Sequence, residues 1–427
     1  MVSLRGKRLL ILGGSLWKEA IKQFADDHGI VLIATGNNQS AGIFEIADEK
    51  YGVNSTDAEA MKALIKEHNI DGVYMGGSEV VIGAACQYLE ELEMPCYCTY
   101  EQWNTLQNKK NFKELCIRNG LPVVPKYEFE NGNINLPENI FPVITKPADG
   151  CGSSGFSVCH NNEELQKGYK IAAEDSMTGS VITEKFVKNE GNVVFYTVSN
   201  GKIHFSGLSD KYPVRYAKQG SYVGGLFVYE SRFTKEFRCK FEEKIQEMIT
   251  SINIKEGCFW IEVFHDGNEY YFNEVGYRYG GSASIFPTDY LYGINQVASD
   301  IYYALTGESL IIGHKSMIST SIKRKNYYAV YPVHVLPGTI NSIEGVDILK
   351  ANSSVVTVLT TKNVGDTIID TGSFSQAYAL IHVVFDSVSE LKAIINFVHD
   401  TLIIKDEDDN NMINRMLDID KINIILK

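Results

Sequence analysis

Glu262 and Glu274 are the residues of this sequence whose type and setting point most directly to chemistry. They lie in two short β-rich runs, Phe259 to Phe264 and Tyr270 to Val275, joined by His265-Asp266-Gly267-Asn268, an Asp-Gly turn of the kind that closes a β-hairpin. Period-2 alternation places Glu262 on the face of Trp260 and Phe264, and Glu274 on the face of Phe272. A glutamate on a half-buried face is costly unless something pairs with it. Two carboxylates facing each other across a hairpin also repel, and a hard divalent cation relieves both problems, typically Mg²⁺ held jointly with substrate phosphates. Glutamates pointing into solvent at a sheet edge are the other reading of the same stretch.

Three basic segments bear on that choice. Lys146 ends the apolar run Phe141 to Lys146 and leads into Pro147-Ala-Asp-Gly-Cys-Gly-Ser-Ser-Gly155. A strand-terminal lysine supplies a point charge, and a Gly/Ser-rich loop frees backbone N–H groups to wrap phosphate oxygens. The lysine precedes the glycines, so this is not a Walker A loop, and a plain hairpin connection with Val158 opening the return strand competes with the phosphate reading. The helix expected over 108–119 is capped by Asn108, ended by Gly120, and carries Lys109 and Lys113 on one face, where a solvated basic face is the simpler account. Gly207 to Arg232 contains Lys211, Arg215, Lys218, four tyrosines and four glycines. It is too polar and broken for a core and reads as a long lid whose cations meet anionic ligands.

The elements around these residues follow from periodicity. Residues 7–12 form a strand ending in Gly13-Gly14-Ser15, and Trp17, Ala20, Ile21 and Phe24 mark a helix. A strand at 30–34 follows, then a helix opened by the capping box Thr56-Asp-Ala-Glu59, a strand at 71–75, the turn Gly76-Gly77-Ser78 and another helix. Such alternation makes a small parallel α/β sheet, whose ligands bind at the carboxyl ends of the strands. Specificity is therefore expected in the loops 13–15 and 76–79 and in the 207–232 lid. A dinucleotide fold is disfavoured, because the GxGxxG spacing is missing and the second strand ends in Thr35-Gly36-Asn37 rather than an acid. Further strands are expected at 181–187 and 193–198, and helices at 235–252 and 294–305. Beyond residue 326 the chain turns β-rich, with one helix near 388–399 and a solvated acidic turn at 406–409.

At 427 residues the chain needs roughly two to four domains. A net charge of -13 argues against a nucleic-acid backbone as the main partner. No 18-residue apolar run predicts a membrane span, Met1 to Arg8 leads into a strand rather than a signal peptide's apolar region, and the expected compartment is the cytoplasm. The eight scattered cysteines lack a CxxC pair and are expected to be reduced thiols.

Taken in order, these features resemble the ATP-grasp ligases, a family that includes biotin carboxylase, D-alanine:D-alanine ligase, carbamoyl-phosphate synthetase and L-amino acid ligases. The resemblance covers essentially the whole chain. It implies an α/β and α+β architecture: a parallel α/β pre-grasp domain over 1–105, an ATP-grasp domain over 106–325 with a lid subdomain near 122–187, and a β-rich C-terminal domain over 326–427. In the family, two acidic residues on adjacent strands bind Mg²⁺-ATP, and in biotin carboxylase they share the separation of Glu262 and Glu274, which stand 12 positions apart. Arg278 and the Gly280-Gly281 pair follow as in the family. Lys109 and Lys146 are similar to its phosphate-contacting lysines, and Gly150, Gly152, Ser153, Ser154 and Gly155 to its flexible flap. Glu184, Lys185, Phe186 and Val187 resemble its adenine-contacting strand, with Asn192 at a position that often faces the ribose. Asn108 replaces the usual aspartate. Gly276 stands where many members carry an asparagine metal ligand, which leaves open whether one or two metal ions bind.

The resemblance implies an enzyme that uses ATP and Mg²⁺, or Mn²⁺, to activate an amino acid or small carboxylate as an acyl phosphate and join it to an amine, releasing ADP and phosphate. Glu262 and Glu274 would hold the metal, Arg278 would stabilise the transferring phosphoryl group or the substrate carboxylate, and Lys211 and Arg215 would serve the substrate pocket. EVGYRYGG and GTINSIEG match the amino-acid ligases best. The alternatives are a biotin carboxylase-like or purine-pathway enzyme and a nucleotide-binding protein without turnover. The expected partners are small molecules, with no nucleic acid or membrane and with a homodimer common in the family.

Overall fold

The computed structural model describes residues 2–129, 133–148, 155–187, 191–216, 221–311, 313–420 and 424–426. Strands β1 (Arg8–Ile11), β2 (Val31–Thr35), β3 (Glu49–Tyr51) and β4 (Gly72–Tyr74) form a sheet in the order β3-β2-β1-β4, every pairing parallel, with helices between them. The helix after β3, Ala58–Glu67, starts one residue later than its sequence motif indicates. Asp57 is the cap, accepting from the Ala60 amide, while the Thr56 hydroxyl bonds the Asn54 side chain instead.

Strands β5 (Lys126–Tyr127), β6 (Val143–Pro147), β7 (Ser157–Cys159) and β8 (Val181–Lys185) form a small antiparallel sheet ordered β5-β8-β6-β7, backed by the helix Asn162–Asp175. The chain then builds β9 (Asn192–Ser199), β10 (Lys202–Arg215), β11 (Tyr222–Tyr229), β12 (Gly257–His265), β13 (Tyr270–Gly276) and β14 (Tyr327–His334). It ends with β15 (Gly338–Glu344), β16 (Val355–Thr360), β17 (Thr367–Ile368), β18 (Ala377–Phe385) and β19 (Ile403–Asp406). Eight of these make one sheet, β13-β12-β9-β10-β11-β14-β18-β16, and β17-β15-β19 a smaller one. The boundary expected at 325/326 therefore divides the sequence but not the large sheet, since β11 pairs directly with β14.

The lid expected over 207–232 is not a lid. Most of it is β10 and β11, paired from Ser209↔Tyr229 to Arg215↔Tyr222 in the middle of the large sheet. Two features disguised it. Its polar residues bond one another inside the protein, where buried Asp210 accepts from Asn192 Nδ2 at 2.8 Å and Ser231 Oγ at 2.6 Å. Its glycines permit close packing rather than breaking the strand: a Cβ on Gly224 would lie 2.4 Å from the Phe227 ring, and one on Gly225 2.4 Å from Val214.

One hydrophobic core runs from the helices Glu79–Glu91, Tyr100–Gln107 and Lys109–Arg118 to Val194, Ile261, Val263 and Phe272 of the large sheet and to the helix Thr234–Ser251. That shared core seats the start of the Lys109 helix over the β12–β13 hairpin.

Candidate active site

The hairpin has the expected strands and an irregularity that alternation does not reveal. Glu262 pairs with Glu274, but the next pairing is Val263 with Phe272, which leaves Asn273 as the extra residue of a β-bulge. The bulge corrects the face assigned to Glu274. It lies on the face of Glu262, whereas Phe272 turns inward, fully buried beside Phe237 and Phe241.

Two carboxylates directly opposite on paired strands would repel. Each has an ammonium. Lys211 Nζ on β10 lies 3.0 Å from Glu262 Oε1, and Lys109 Nζ lies 3.4 Å from Glu274 Oε2. Asn273 Nδ2 donates to Glu262 Oε2 at 2.8 Å. Burial opposes ionisation of Glu262, but the Lys211 charge and the Asn273 amide outweigh it and hold the carboxyl below its ordinary range. Lys109 reaches the site because Asn108 caps its helix, accepting from the amides of Lys110 and Asn111, while Phe112, Leu115 and Cys116 anchor the opposite face.

A second ionic cluster lies one turn along that helix. Lys113 Nζ bonds Glu184 Oε1, and Lys146 Nζ lies 2.7 Å from Glu184 Oε2, so both oxygens of this nearly fully buried carboxylate meet a cation. Burial would raise the Glu184 carboxyl, yet Lys146 and Lys113 together hold it low; burial pulls the Lys113 ammonium down despite its partner. Lys113 is thus no solvated lysine. Lys185 joins the small sheet to the hairpin turn, with Nζ 3.2 Å from Asp266 Oδ2, 2.8 Å from the Tyr271 hydroxyl and 4.9 Å from that ring's centre. Phe186 donates its amide to Pro142, and Val187 packs with Val124 and Tyr271. Of the expected flap, Gly150, Gly152, Ser153 and Ser154 lie outside the described residues. Gly155 has φ +65° and approaches Asp175 so closely that a Cβ would sit 2.6 Å from its carboxylate.

Asn192 is a correction. It pairs with Val263, on the opposite face of the sheet from Glu262, and is fully buried in the Asp210–Ser231 network, so its side chain makes no ribose contact here. Arg278 lies on the Glu274 side of the hairpin. Its Nε and Nη2 donate to Glu79 Oε1 at 3.0 and 2.6 Å, and its guanidinium carbon is 5.3 Å from the Trp260 ring centre. The 76–79 turn is thereby tied to the site, and the 13–15 loop follows it, since the Gly13 and Gly76 backbones touch. Arg215, on the same strand as Lys211, lies 5.9 Å from the Tyr222 ring centre.

Two cavities flank the hairpin and share Trp260 and Glu274 as a wall. One, about 270 Å³, is lined by Lys109, Arg278 and Glu79; the other, about 280 Å³, by Lys211, Glu262 and several aromatic rings. Trp260 also explains Gly276, its partner across the strands: a Cβ there would lie 2.3 Å from the indole nitrogen, so an asparagine has no room. The sequence assigns no role to Asn273 or Trp260, leaves Lys113 on a solvated face and places Glu79 only within a specificity loop. Trp260 was visible from its parity with Glu262. No local signal marks the bulge or the long-range pairings.

The donor set fits Mg²⁺. Among the described residues no cluster of three or more metal-ligating side chains exists, as a structural zinc site or a full calcium cage would require. Two facing carboxylates in a cation-lined cleft suit a metal that takes its remaining oxygens from phosphate and water.

Comparison with known proteins agrees with this geometry. Residues 108–282 match the ATP-grasp domain family. Formate-dependent phosphoribosylglycinamide formyltransferase of Mannheimia succiniciproducens is 26% identical over 283 residues, spanning 64% of this chain and 70% of that protein. Among solved structures, phosphoribosylglycinamide synthetase from Anaerococcus prevotii superposes with TM-score 0.74 at 16% identity, covering 94% of this chain and 100% of that one. L-Amino acid ligase from Bacillus licheniformis gives TM-score 0.72 at 19% identity, covering 94% and 99%. The match to the ATP-grasp domain family spans the hairpin and both lysine clusters, and over these residues the chain is similar to that family.

Proposed function

We propose that this protein is a carboxylate–amine ligase that activates its acid as an acyl phosphate, with ATP and Mg²⁺ as cofactors. The observation that carries the reading is the facing pair Glu262 and Glu274, each matched by one lysine from a different element. Glu262 and Glu274 would hold Mg²⁺, which when bound would supply charge neutralisation for the polyphosphate. Lys109 and Lys146 add positive charge along the phosphates, and the chain near Lys185, Phe186 and Val187 borders the base. A substrate carboxylate oxygen attacks the γ-phosphorus and the bond to the β-phosphate oxygen breaks, giving acyl phosphate and ADP. The amine then attacks the acyl carbon, phosphate departs, and the amine proton passes to solvent or phosphate. The protein contributes position and charge balance, as in other phosphoryl transfers. Lys211 balances the carboxylate beside Glu262, and Arg278, locked by Glu79, orients the substrate on the Glu274 side.

We place this reaction in the cytoplasm, on a homodimer. Among the described residues no helix is long and apolar enough to cross a membrane. The test is ADP and phosphate release from Mg²⁺-ATP with pools of amino acids, small carboxylates and bicarbonate. The expected result is release that depends on a carboxylate and an amine and falls about a hundredfold or more in Glu274→Gln. AMP and pyrophosphate as products overturn the mechanism, and a requirement for bicarbonate or a ribose phosphate selects the carboxylase or purine-pathway alternative.

A further inference from the structure

The 280 Å³ cavity on the Glu262 side has a polar end and an apolar body. Lys211, Glu262 and Glu274 form the polar end, and the rings of Phe195, Tyr222, Phe227, Trp260 and Phe374 wall the rest. We propose, building on the ligase reading, that this cavity holds the side chain of the carboxylate substrate, and that the substrate class is carboxylic acids bearing an aromatic ring or a branched aliphatic group.

The chemistry of the walls is the first argument. Among the described lining residues Lys211 is the one cation, and its ammonium is already 3.0 Å from Glu262. A sugar phosphate in the body of this cavity would set its dianion against aromatic carbon, away from the charged end, at a large cost. An apolar side chain gains about 25 cal/mol for each Å² removed from water, and aromatic walls add ring-on-ring contacts. Size is the second argument. The volume sits at the lower edge of the roughly 300–1,000 Å³ of ordinary ligand pockets, enough for one ring or a branched chain beside the reacting carboxylate.

The walls are also held in place. Phe195 packs against Tyr229 with ring centres 5.7 Å apart, and Phe227 meets Phe374 edge-on at 6.4 Å. Phe374 arrives from the far end of the chain, and its segment is tied to the start of β11 by the Ser221 hydroxyl, which donates to the Gly372 carbonyl. The C-terminal part of the chain thus completes the cavity. The glycine pair divides the labour. A Cβ on Gly280 would strike the Phe195 ring at 2.7 Å, whereas one on Gly281 would meet no protein atom within 4 Å, although Gly281 lines the cavity. Gly281 is therefore where added bulk enters substrate space without disturbing the fold.

The test uses the full chain with Mg²⁺-ATP and hydroxylamine, which captures an acyl phosphate as a hydroxamate whatever the natural amine. The acids are formate, glycine, aspartate, lysine, leucine, phenylalanine and phenylacetate. The proposal expects kcat/KM for an aromatic or branched acid to exceed that for glycine or formate by about tenfold or more. Gly281→Val should cut the phenylalanine-to-glycine ratio of kcat/KM at least about tenfold, mainly through KM for the larger acid, with the melting temperature held; Phe374→Ala should change the same ratio by opening the wall. ADP release driven by aspartate, lysine or formate while the apolar acids stay silent overturns the substrate class and leaves the ligase standing. An unmoved ratio in both variants also overturns it. No hydroxamate and no ADP from any acid overturns the ligase reading and this inference together.

Discussion

Two pairs of carboxylates in this protein receive opposite treatment. At the hairpin, Glu262 and Glu274 face each other beside open cavities, each with a lysine. Behind it, Glu256 and Asp300 line a cavity of about 20 Å³, room for roughly one water. They are bonded only by neutral donors among the contacts seen: Glu256 by the Asn200 amide and the Ser309 hydroxyl, Asp300 by the Tyr279 hydroxyl. Desolvation pushes both carboxyls up to about 7, and the Glu256 charge adds to the rise at Asp300. The Glu262 carboxyl, also largely out of water, is instead held low because Lys211 is present. Burial alone therefore does not mark a working carboxylate. What separates the two pairs is a matching cation and an opening for ligand.

Removing charge at the hairpin should have the largest effect. Glu262→Gln is expected to lower carboxylate-dependent ADP release about a hundredfold or more, with a modestly lower melting temperature, because the Lys211 attraction that holds the carboxyl ionised is lost together with the repulsion from Glu274. Activity kept at the parent level would erase the contrast, making the hairpin pair structural. Lys211→Met tests the cation. It leaves a mostly buried Glu262 without its ammonium, at a cost of about 1–2 kcal/mol after discounting for partial exposure, and saturating Mg²⁺-ATP should restore much of that loss. Denaturant midpoints with and without Mg²⁺-ATP decide it.

Asp300→Asn should have the smallest effect on activity and the most pH-dependent effect on stability. The Asp300 carboxyl titrates at about 7 in the folded chain against an ordinary 3.8, so its contribution is fully present below the unfolded value and is lost as pH rises through the folded one. The variant should therefore melt close to the parent near pH 4, and higher than the parent above pH 7, with ADP release unaffected. Identical melting curves across that range would mean that Asp300 is ionised in the fold and that the two pairs do not differ as described.

Much of this was legible locally. Three of the four strands of the first sheet, the Asn108 cap and the hairpin follow from periodicity and turn chemistry, which act over a few residues; the three-residue edge strand β3 is too short to show a period. Residues 207–232 look like an exposed loop in sequence because polarity and glycine mimic exposure, whereas Asp210 finds its partners inside and Gly224 and Gly225 make room for Phe227 and Val214.

The sequence by itself determined the chemical cast: two glutamates on a hairpin, a capped helix beginning with Lys109, a strand carrying Lys146, and the order of elements that resembles the ATP-grasp ligases. Only the tertiary structure decided how they act together. A single extra residue at Asn273 turned Glu274 to the face of Glu262, because strand parity breaks at a bulge that no local pattern announces. The pairing of Lys211 with Glu262, the exclusion of Asn192, the filling of the Gly276 space by Trp260 and the arrival of Phe374 from the far end of the chain all depend on strand neighbours distant in sequence. Such contacts are set by the register and stacking of the whole sheet, and a linear pattern carries no record of them.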